Sequence, residues 1–86
     1  MINRKRLEGL TRRQRAAVFA TGRVTTGKVS TYSKRSRRFI DWWVGKVGGA
    51  IVTDRRGYWK HKTEATARRA AAWFKWHSAR VAAGKN

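Results

Sequence analysis

The side chains that could carry acid–base or metal chemistry are few and widely spaced in this sequence. They comprise four carboxylates and two histidines, which are Glu8, Asp41, Asp54, Glu64, His61 and His77. A metal-dependent nuclease requires two or three carboxylates that converge on a cation, whereas Asp54 and Glu64 are explained by a turn and by a helix start. The sequence has no cysteine, no His-Glu-x-x-His spacing and no phosphate-binding glycine loop. We therefore expect a protein that is not an enzyme and that requires no metal and no other cofactor.

Positive side chains dominate the sequence, with 22 Lys and Arg against 4 Asp and Glu in 86 residues, a formal net charge of +18. Self-repulsion at this charge opposes the compact state, and a polyanion relieves it. Arg outnumbers Lys, and guanidinium groups suit bidentate contacts with phosphate and guanine. We therefore expect a nucleic acid as the partner. The candidate contact residues are Arg12, Arg13, Arg15, Lys34, Arg35, Arg37, Arg38, Arg55, Arg56, Lys60, Lys62 and Trp59.

A membrane is a less suitable partner for this charge. No apolar run approaches the ~20 residues of a membrane span, and no apolar signal-peptide segment follows the basic residues 1–6. The absence of cysteine fits a reducing compartment. The chain is similar in composition to small phage or nucleoid-associated proteins. We therefore expect a cytoplasmic or nucleoid location, in a bacterial host cell if the protein is phage-encoded.

Two other functions remain open from the residues alone. One is a phage-type inhibitor or adaptor that docks on an acidic face of a host protein, with Trp and Arg as its anchors. The other is a structural RNA-binding component of a ribosome or virion. The oligomeric state is open as well.

The ten aromatic residues, five of them Trp, argue that most of the chain folds. Strand alternation would send Trp42 and Trp43 to opposite faces of a sheet, and likewise Tyr58 and Trp59. One ring of each pair can then enter the core. The other can lie exposed beside cations, where it could stack on a base.

The first 38 residues hold more than half of the cations and are predicted to form a basic, partly helical arm. Thr11 and Gln14 have the spacing of a capping box, which predicts a short helix over about 11–20 that ends near Gly22. Residues 24–32 are rich in β-branched side chains and favour a strand. The basic residues 33–38 have the composition of a loop or of a strand entry.

Residues 39–61 are predicted to form a three-stranded antiparallel meander. The strands are residues 39–47, 50–53 and 58–61, which are β-branched and aromatic. Gly48 and Gly49 suit a two-residue hairpin turn, because glycine adopts positive φ without steric cost. The second connection, residues 54–57, begins with Asp and ends with Gly, as type I turns prefer.

An Ala-rich helix is predicted from Thr63, a favourable N-cap, through Ala83, with Gly84 as its stop. Its spacing puts small residues and Phe on one face, namely Ala67, Ala70, Ala71, Phe74, Ser78 and Val81, so this face can approach the sheet closely. A second face is aromatic and basic and contains Arg69, Trp73, Trp76 and Arg80.

The order of elements over residues 39–83 resembles the β-β-β-α DNA-binding units of AP2-type domains and of tyrosine-recombinase arm-binding domains. The similar residues are Gly57-Tyr58-Trp59 and Thr63-Glu64-Ala65-Thr66-Ala67. This resemblance implies a sheet that lies in the major groove of DNA with the helix packed behind it. The start of the helix is also loosely similar to the double-stranded-RNA-binding fold, through Lys62, Glu64, Ala65, Arg69 and Ala70.

The sequence thus predicts an α+β protein with a basic arm over residues 1–38 and a β-β-β-α nucleic-acid-binding domain over residues 39–86. We expect it to bind double-stranded DNA in preference to RNA, mainly through phosphates and with modest sequence preference. Arg55 and Arg56 on the predicted turn would contact phosphate, and the basic residues 34–38 would extend that surface.

Overall fold

The computed structural model describes residues 4–84 and has an α+β fold, as expected from the sequence. The first three residues of the basic N-terminus and the last two residues of the chain lie outside that range. The elements are helices α1 (Arg4–Leu7) and α2 (Arg12–Ala20), strands β1 (Val24–Ser33), β2 (Arg38–Val47) and β3 (Ala50–Ile51), and helix α3 (Glu64–Ala82). The strands form one antiparallel sheet in the order β1-β2-β3.

The sheet is dominated by a long hairpin of β1 and β2. The two strands pair along their whole length, from Val24 opposite Val47 at the base of the hairpin to Ser33 opposite Arg38 at its far end. Residues 24–32 were predicted as a strand, and this is confirmed by β1. They belong to the same sheet as β2, so the boundary that we expected after residue 38 falls inside the hairpin.

The predicted third strand over residues 58–61 is wrong. The third strand is β3, which is shorter than the predicted residues 50–53, and of residues 58–61 only His61 pairs with the sheet, in a bridge to Trp43. The reason is that backbone groups of this segment find hydrogen-bond partners within their own loop. The Asp54 carboxylate accepts hydrogen bonds from the amides of Arg56 and Tyr58, both at 2.9 Å, so this segment closes on itself as a tight loop.

The predicted turns on either side of β3 are confirmed. Gly48 and Gly49 have φ of 61° and 84°, as a two-residue turn with positive φ at both central positions requires. In the loop that follows β3, the Gly57 amide donates to the Asp54 carbonyl at 3.0 Å, which closes the predicted turn. The β1–β2 connection is the predicted basic loop, with Arg37 in the left-handed region at φ 52°.

The helix starts predicted from the sequence are also confirmed. At α2, Thr11 Oγ1 accepts from the Gln14 amide at 3.2 Å, and Gln14 Oε1 accepts from the Thr11 amide at 2.8 Å, which is a complete capping box. At α3, Thr63 Oγ1 accepts from the Thr66 amide at 3.2 Å.

The core lies where α3 crosses the base of the hairpin. Val47, Val52 and Ala71 are its fully enclosed centre, with Phe19 of α2 and Phe74 of α3 packed edge to face at a centroid distance of 5.1 Å. The predicted small-residue face of α3 is the buried one, with Ala67, Ala70, Ala71, Ser78 and Val81 enclosed. Because the core occupies only the base, the far half of the hairpin projects from it, and the molecule measures 45 × 26 × 20 Å.

Candidate nucleic-acid interface

The projecting end of the hairpin, residues 32–39, is named here the hairpin tip. It contains four of the predicted contact residues, Lys34, Arg35, Arg37 and Arg38, and all of them are exposed. Within the described residues 4–84, these four side chains make no hydrogen bond or ion pair. The tip is therefore a concentrated positive charge that the described part of the chain leaves uncompensated.

Three of the four carboxylates have local partners away from the tip. Asp41 accepts a hydrogen bond from Ser30 Oγ at 2.5 Å, across the hairpin. Asp54 is engaged by the amides of its own loop, and Glu64 forms an exposed ion pair with Arg68 at 3.2 Å. An exposed pair of this kind contributes little to stability. Within residues 4–84, none of these three carboxylates forms an ion pair with a tip cation.

Two aromatic side chains flank the tip cations. Tyr32 and Phe39 are directly opposite each other in the β1–β2 register, and their rings meet at a centroid distance of 5.3 Å. Tyr32 is 55% exposed and Phe39 is 70% exposed. Apolar surface of this kind beside cations can contact a base edge or a thymine methyl group, as well as the backbone.

A second group of predicted residues lies against the sheet. Lys60 Nζ is 4.6 Å from the ring centroid of Trp42 and 5.7 Å from that of Trp59, which are cation–π distances. Trp42 is itself fixed, because its Nε1 donates to Thr31 Oγ1 at 2.9 Å. Lys60 is half-buried, while Lys62, beyond the His61 bridge, is exposed.

The prediction that neighbouring tryptophans point to opposite faces is confirmed for β2. Trp42 lies opposite Val29 and Trp43 lies opposite Lys28, and Lys28 Nζ is 4.9 Å from the centroid of the Trp43 ring. Both rings are half-buried and each has a lysine over it. Both therefore contribute to the structure of the sheet.

The three arginines predicted on α2 are not part of the tip. Arg13 Nε donates to the Ala82 carbonyl at 2.9 Å, so this side chain caps the C-terminal end of α3. Arg15 Nη1 donates to the Leu10 carbonyl at 3.2 Å. Arg12 and Arg15 line a groove between α2 and α3, together with Phe19.

Arg55 and Arg56 lie on the loop after β3, and both are exposed. Arg55 meets the C-terminal half of α3, where it lines a groove whose other residues were not among the predicted contacts. We name this the α3 groove; its lining residues are Arg55, Trp73, Trp76, His77 and Arg80. The sequence contained a signal for this groove, because helical spacing places Trp73, Trp76 and Arg80 on one aromatic and basic face of α3.

The predicted contacts therefore fall into separate groups. The tip cations form one, Lys60 with Trp59 forms another, and Arg55 belongs to the α3 groove. His61, just before α3, pairs with Trp43 in the middle of β2, and Ala71, further along α3, packs on Val47 at the hairpin base. The C-terminal half of α3 consequently runs away from the tip.

Among residues 4–84, no group of three or more His, Asp or Glu side chains is arranged to hold a metal ion. In the same part of the chain, no helix has the length and apolarity that are needed to cross a bilayer.

Comparisons of the chain with protein-family models, with curated proteins and with solved structures give no match. The resemblance to β-β-β-α DNA-binding units stays a prediction. Of its two similar segments, residues 57–59 lie in a loop and residues 63–67 span the N-cap and first turn of α3.

Proposed function

We propose that this protein binds double-stranded DNA, mainly through phosphate contacts and with modest sequence preference, in the cytoplasm or nucleoid of a cell. The observation that carries the proposal is the hairpin tip, with four exposed cations and no acidic partner within residues 4–84. Phosphates supply the missing negative charge, and the release of their counterions drives binding.

The shape of the hairpin supports duplex DNA as the partner. The major groove of B-DNA is about 12 Å wide and admits a two-stranded β-ribbon. β1 and β2 form such a ribbon, ten residues on each strand. Its far half stands clear of the core, so the ribbon can enter a groove while its tip cations reach the flanking phosphates.

The composition of the tip supports only modest sequence preference. Phosphate contacts position a protein without reading sequence, and base edges must be read by side chains in the groove. The tip offers many cations and only the Tyr32–Phe39 pair as apolar surface. Contacts with thymine methyl groups would then give a preference for certain sites and not strict selection.

A salt titration of binding tests this function, with duplex DNA, single-stranded DNA and folded RNA measured side by side. If about 6–8 phosphates are neutralised on the duplex, log K falls with log[salt] at a slope of roughly −5 to −7. A slope shallower than about −2 on the duplex contradicts the proposal. Tighter binding to folded RNA at matched salt would indicate a structural RNA-binding protein instead.

A pull-down from nuclease-treated lysate tests the other alternative. Duplex-dependent capture disappears when the DNA is digested. One stoichiometric acidic protein that survives nuclease treatment would identify an adaptor or inhibitor, and it would overturn the proposal for DNA.

A further inference from the structure

The α3 groove joins two parts of the chain that are distant in sequence. Arg55 approaches from the loop after β3, and the other lining residues come from successive turns of α3. Trp73 and His77 are stacked, with a centroid distance of 5.0 Å and an interplanar angle of 11°. The guanidinium carbon of Arg80 lies 5.0 Å from the ring centroid of Trp76. The groove thus has aromatic walls and two guanidinium groups.

The positive charge of the α3 groove suits an anionic ligand. Its lining contains Arg55 and Arg80 and no carboxylate, so no acidic side chain of the groove balances these two arginines. Guanidinium groups bind phosphate in a bidentate manner. A phosphodiester in the groove would supply the negative charge that its lining lacks.

The exposed aromatic surface of the α3 groove suits a ligand that has a flat, unsaturated ring next to its anionic group. Trp76 is 56% exposed although the Arg80 guanidinium lies over its ring, so much of this side chain remains accessible to a ligand. Bases offer their faces to aromatic side chains only when they are unpaired and unstacked. A phosphate next to an exposed base face is the chemistry of single-stranded nucleic acid and not of an intact duplex.

We propose that the α3 groove binds unpaired nucleotides of single-stranded DNA, with a base on Trp76 and a phosphate on Arg55 and Arg80. This inference rests on the proposed function, because it takes DNA as the ligand. It adds a second contact that lies away from the hairpin tip. A duplex that continues into a single strand can therefore occupy both surfaces and is expected to bind more tightly than a blunt duplex.

Fluorescence anisotropy with three labelled ligands tests this inference: oligothymidylate, a blunt duplex, and the same duplex with a single-stranded extension. Stacking on an aromatic side chain is worth ~1–3 kcal/mol per base. Trp76→Ala is therefore expected to weaken oligothymidylate binding about five- to about 150-fold and to change blunt-duplex binding less than about twofold. The tighter binding of the extended duplex relative to the blunt duplex should be lost to a similar degree. Trp76→Phe, which keeps a stacking ring, should retain most of the affinity.

Arg80→Gln and Arg69→Gln form a matched pair for the phosphate contact, because both remove one exposed arginine from α3. Arg80→Gln should weaken oligothymidylate binding more than Arg69→Gln, which only lowers the net charge. This pair decides the question even if Trp76→Ala lowers the folded fraction, which circular dichroism measures.

The outcomes separate this inference from the proposed function. Equal effects of Arg80→Gln and Arg69→Gln, or oligothymidylate binding that does not depend on Trp76, overturn the single-strand site while duplex binding persists. An equal loss of duplex and single-strand binding in Trp76→Ala that circular dichroism shows to be folded also overturns it, since the groove would then belong to the duplex surface. Failure of the wild-type protein to bind the blunt duplex overturns the proposed function itself.

Discussion

Tyr32 and Phe39 face each other across the far end of the β1–β2 hairpin, with ring centroids 5.3 Å apart and an interplanar angle of 62°. The pair is exposed although each ring is large and apolar. A cross-strand aromatic pair stabilises a hairpin by only about 0.2–1 kcal/mol. The pair lies next to the cations of the tip, where its surface is available to a ligand.

Phe39→Ala is therefore expected to separate binding from stability. The free energy of unfolding should fall by no more than about 1 kcal/mol, while binding to duplex DNA should weaken several-fold and the sequence preference should become weaker. Denaturant titration and anisotropy measure the two quantities. Tyr58→Ala is the control, because Tyr58 is 61% exposed but lies outside the tip. Equal effects of the two variants on binding would argue against a role for the tip aromatics.

Removal of the tip charge should change the salt dependence of duplex binding. The triple variant Arg35→Gln, Arg37→Gln, Arg38→Gln is expected to reduce the slope of log K against log[salt] by roughly 2–3, since each phosphate contact contributes about 0.9.

The matched control for that variant is Arg12→Gln, Arg23→Gln, Arg69→Gln, which removes the same charge outside the tip. It should lower the affinity for duplex DNA, because the overall positive potential of the protein is smaller. It should leave most of the slope of log K against log[salt] unchanged. If both triple variants reduce the slope equally, the protein binds through diffuse charge and the tip has no special role.

At Gly45, α3 lies in close contact with the sheet, and Gly45→Ala should be strongly destabilising. A Cβ at this residue would overlap the Ala67 carbonyl oxygen and lie 2.9 Å from Ala71 Cβ. Overpacking of this kind costs about 1–3 kcal/mol or more, which a denaturant titration measures. At Gly27 an added Cβ would meet the flexible end of Lys46 at 3.2 Å. Gly27→Ala should therefore be close to neutral, and a loss as large as that of Gly45→Ala would contradict the close helix–sheet contact.

Arg13 connects two helices whose interacting residues are 69 positions apart in the sequence. Its charged donor satisfies a carbonyl at the negative end of the α3 dipole. Arg13→Gln should lower the free energy of unfolding by about 1 kcal/mol. Arg12→Gln removes the same charge from the neighbouring position and should not lower it. The reverse order of the two variants would show that the cap does not stabilise α3.

His61 is 6% exposed, and its Nε2 has no hydrogen-bond partner among the described residues. A buried polar atom without a partner costs about 1–3 kcal/mol. His61→Phe, which keeps a ring of similar shape, should therefore raise the free energy of unfolding by about 1 kcal/mol. His61→Ala should lower it, because it leaves a cavity. Thermal and denaturant unfolding of both variants measure these changes, and destabilisation by His61→Phe would point to a partner for Nε2.

The elements that could be predicted from the sequence are those that depend on near neighbours in the chain. The Thr11–Gln14 capping box, the Gly48-Gly49 turn and the Thr63 cap each involve residues at most three positions apart, so their chemistry is visible in a short window. The small-residue face of α3 was visible for the same reason, because helical periodicity fixes which side chains share a face.

The strand pairing was not predictable in the same way. Residues 58–61 have the composition of a strand, but the amide and the carbonyl of Tyr58 are hydrogen-bonded to Asp54 within the loop, and only His61 pairs with β2. Residues 24–32 were recognised as a strand, yet their pairing with β2 depends on a partner distant in the chain. Local composition reports strand propensity, whereas pairing is decided by which edges are free and by the register that buries one face.

For the candidate interface, the sequence by itself determined the amount and sign of the charge, and it concentrated four cations in residues 34–38. The tertiary structure decided which cations are free to meet a ligand. It engaged Arg13 at the end of α3, held Lys60 over two tryptophans, and brought Arg55 to Trp76 and Arg80. The physical reason is that net charge is additive along the chain, whereas the accessibility and partners of each charge depend on contacts between residues far apart in sequence.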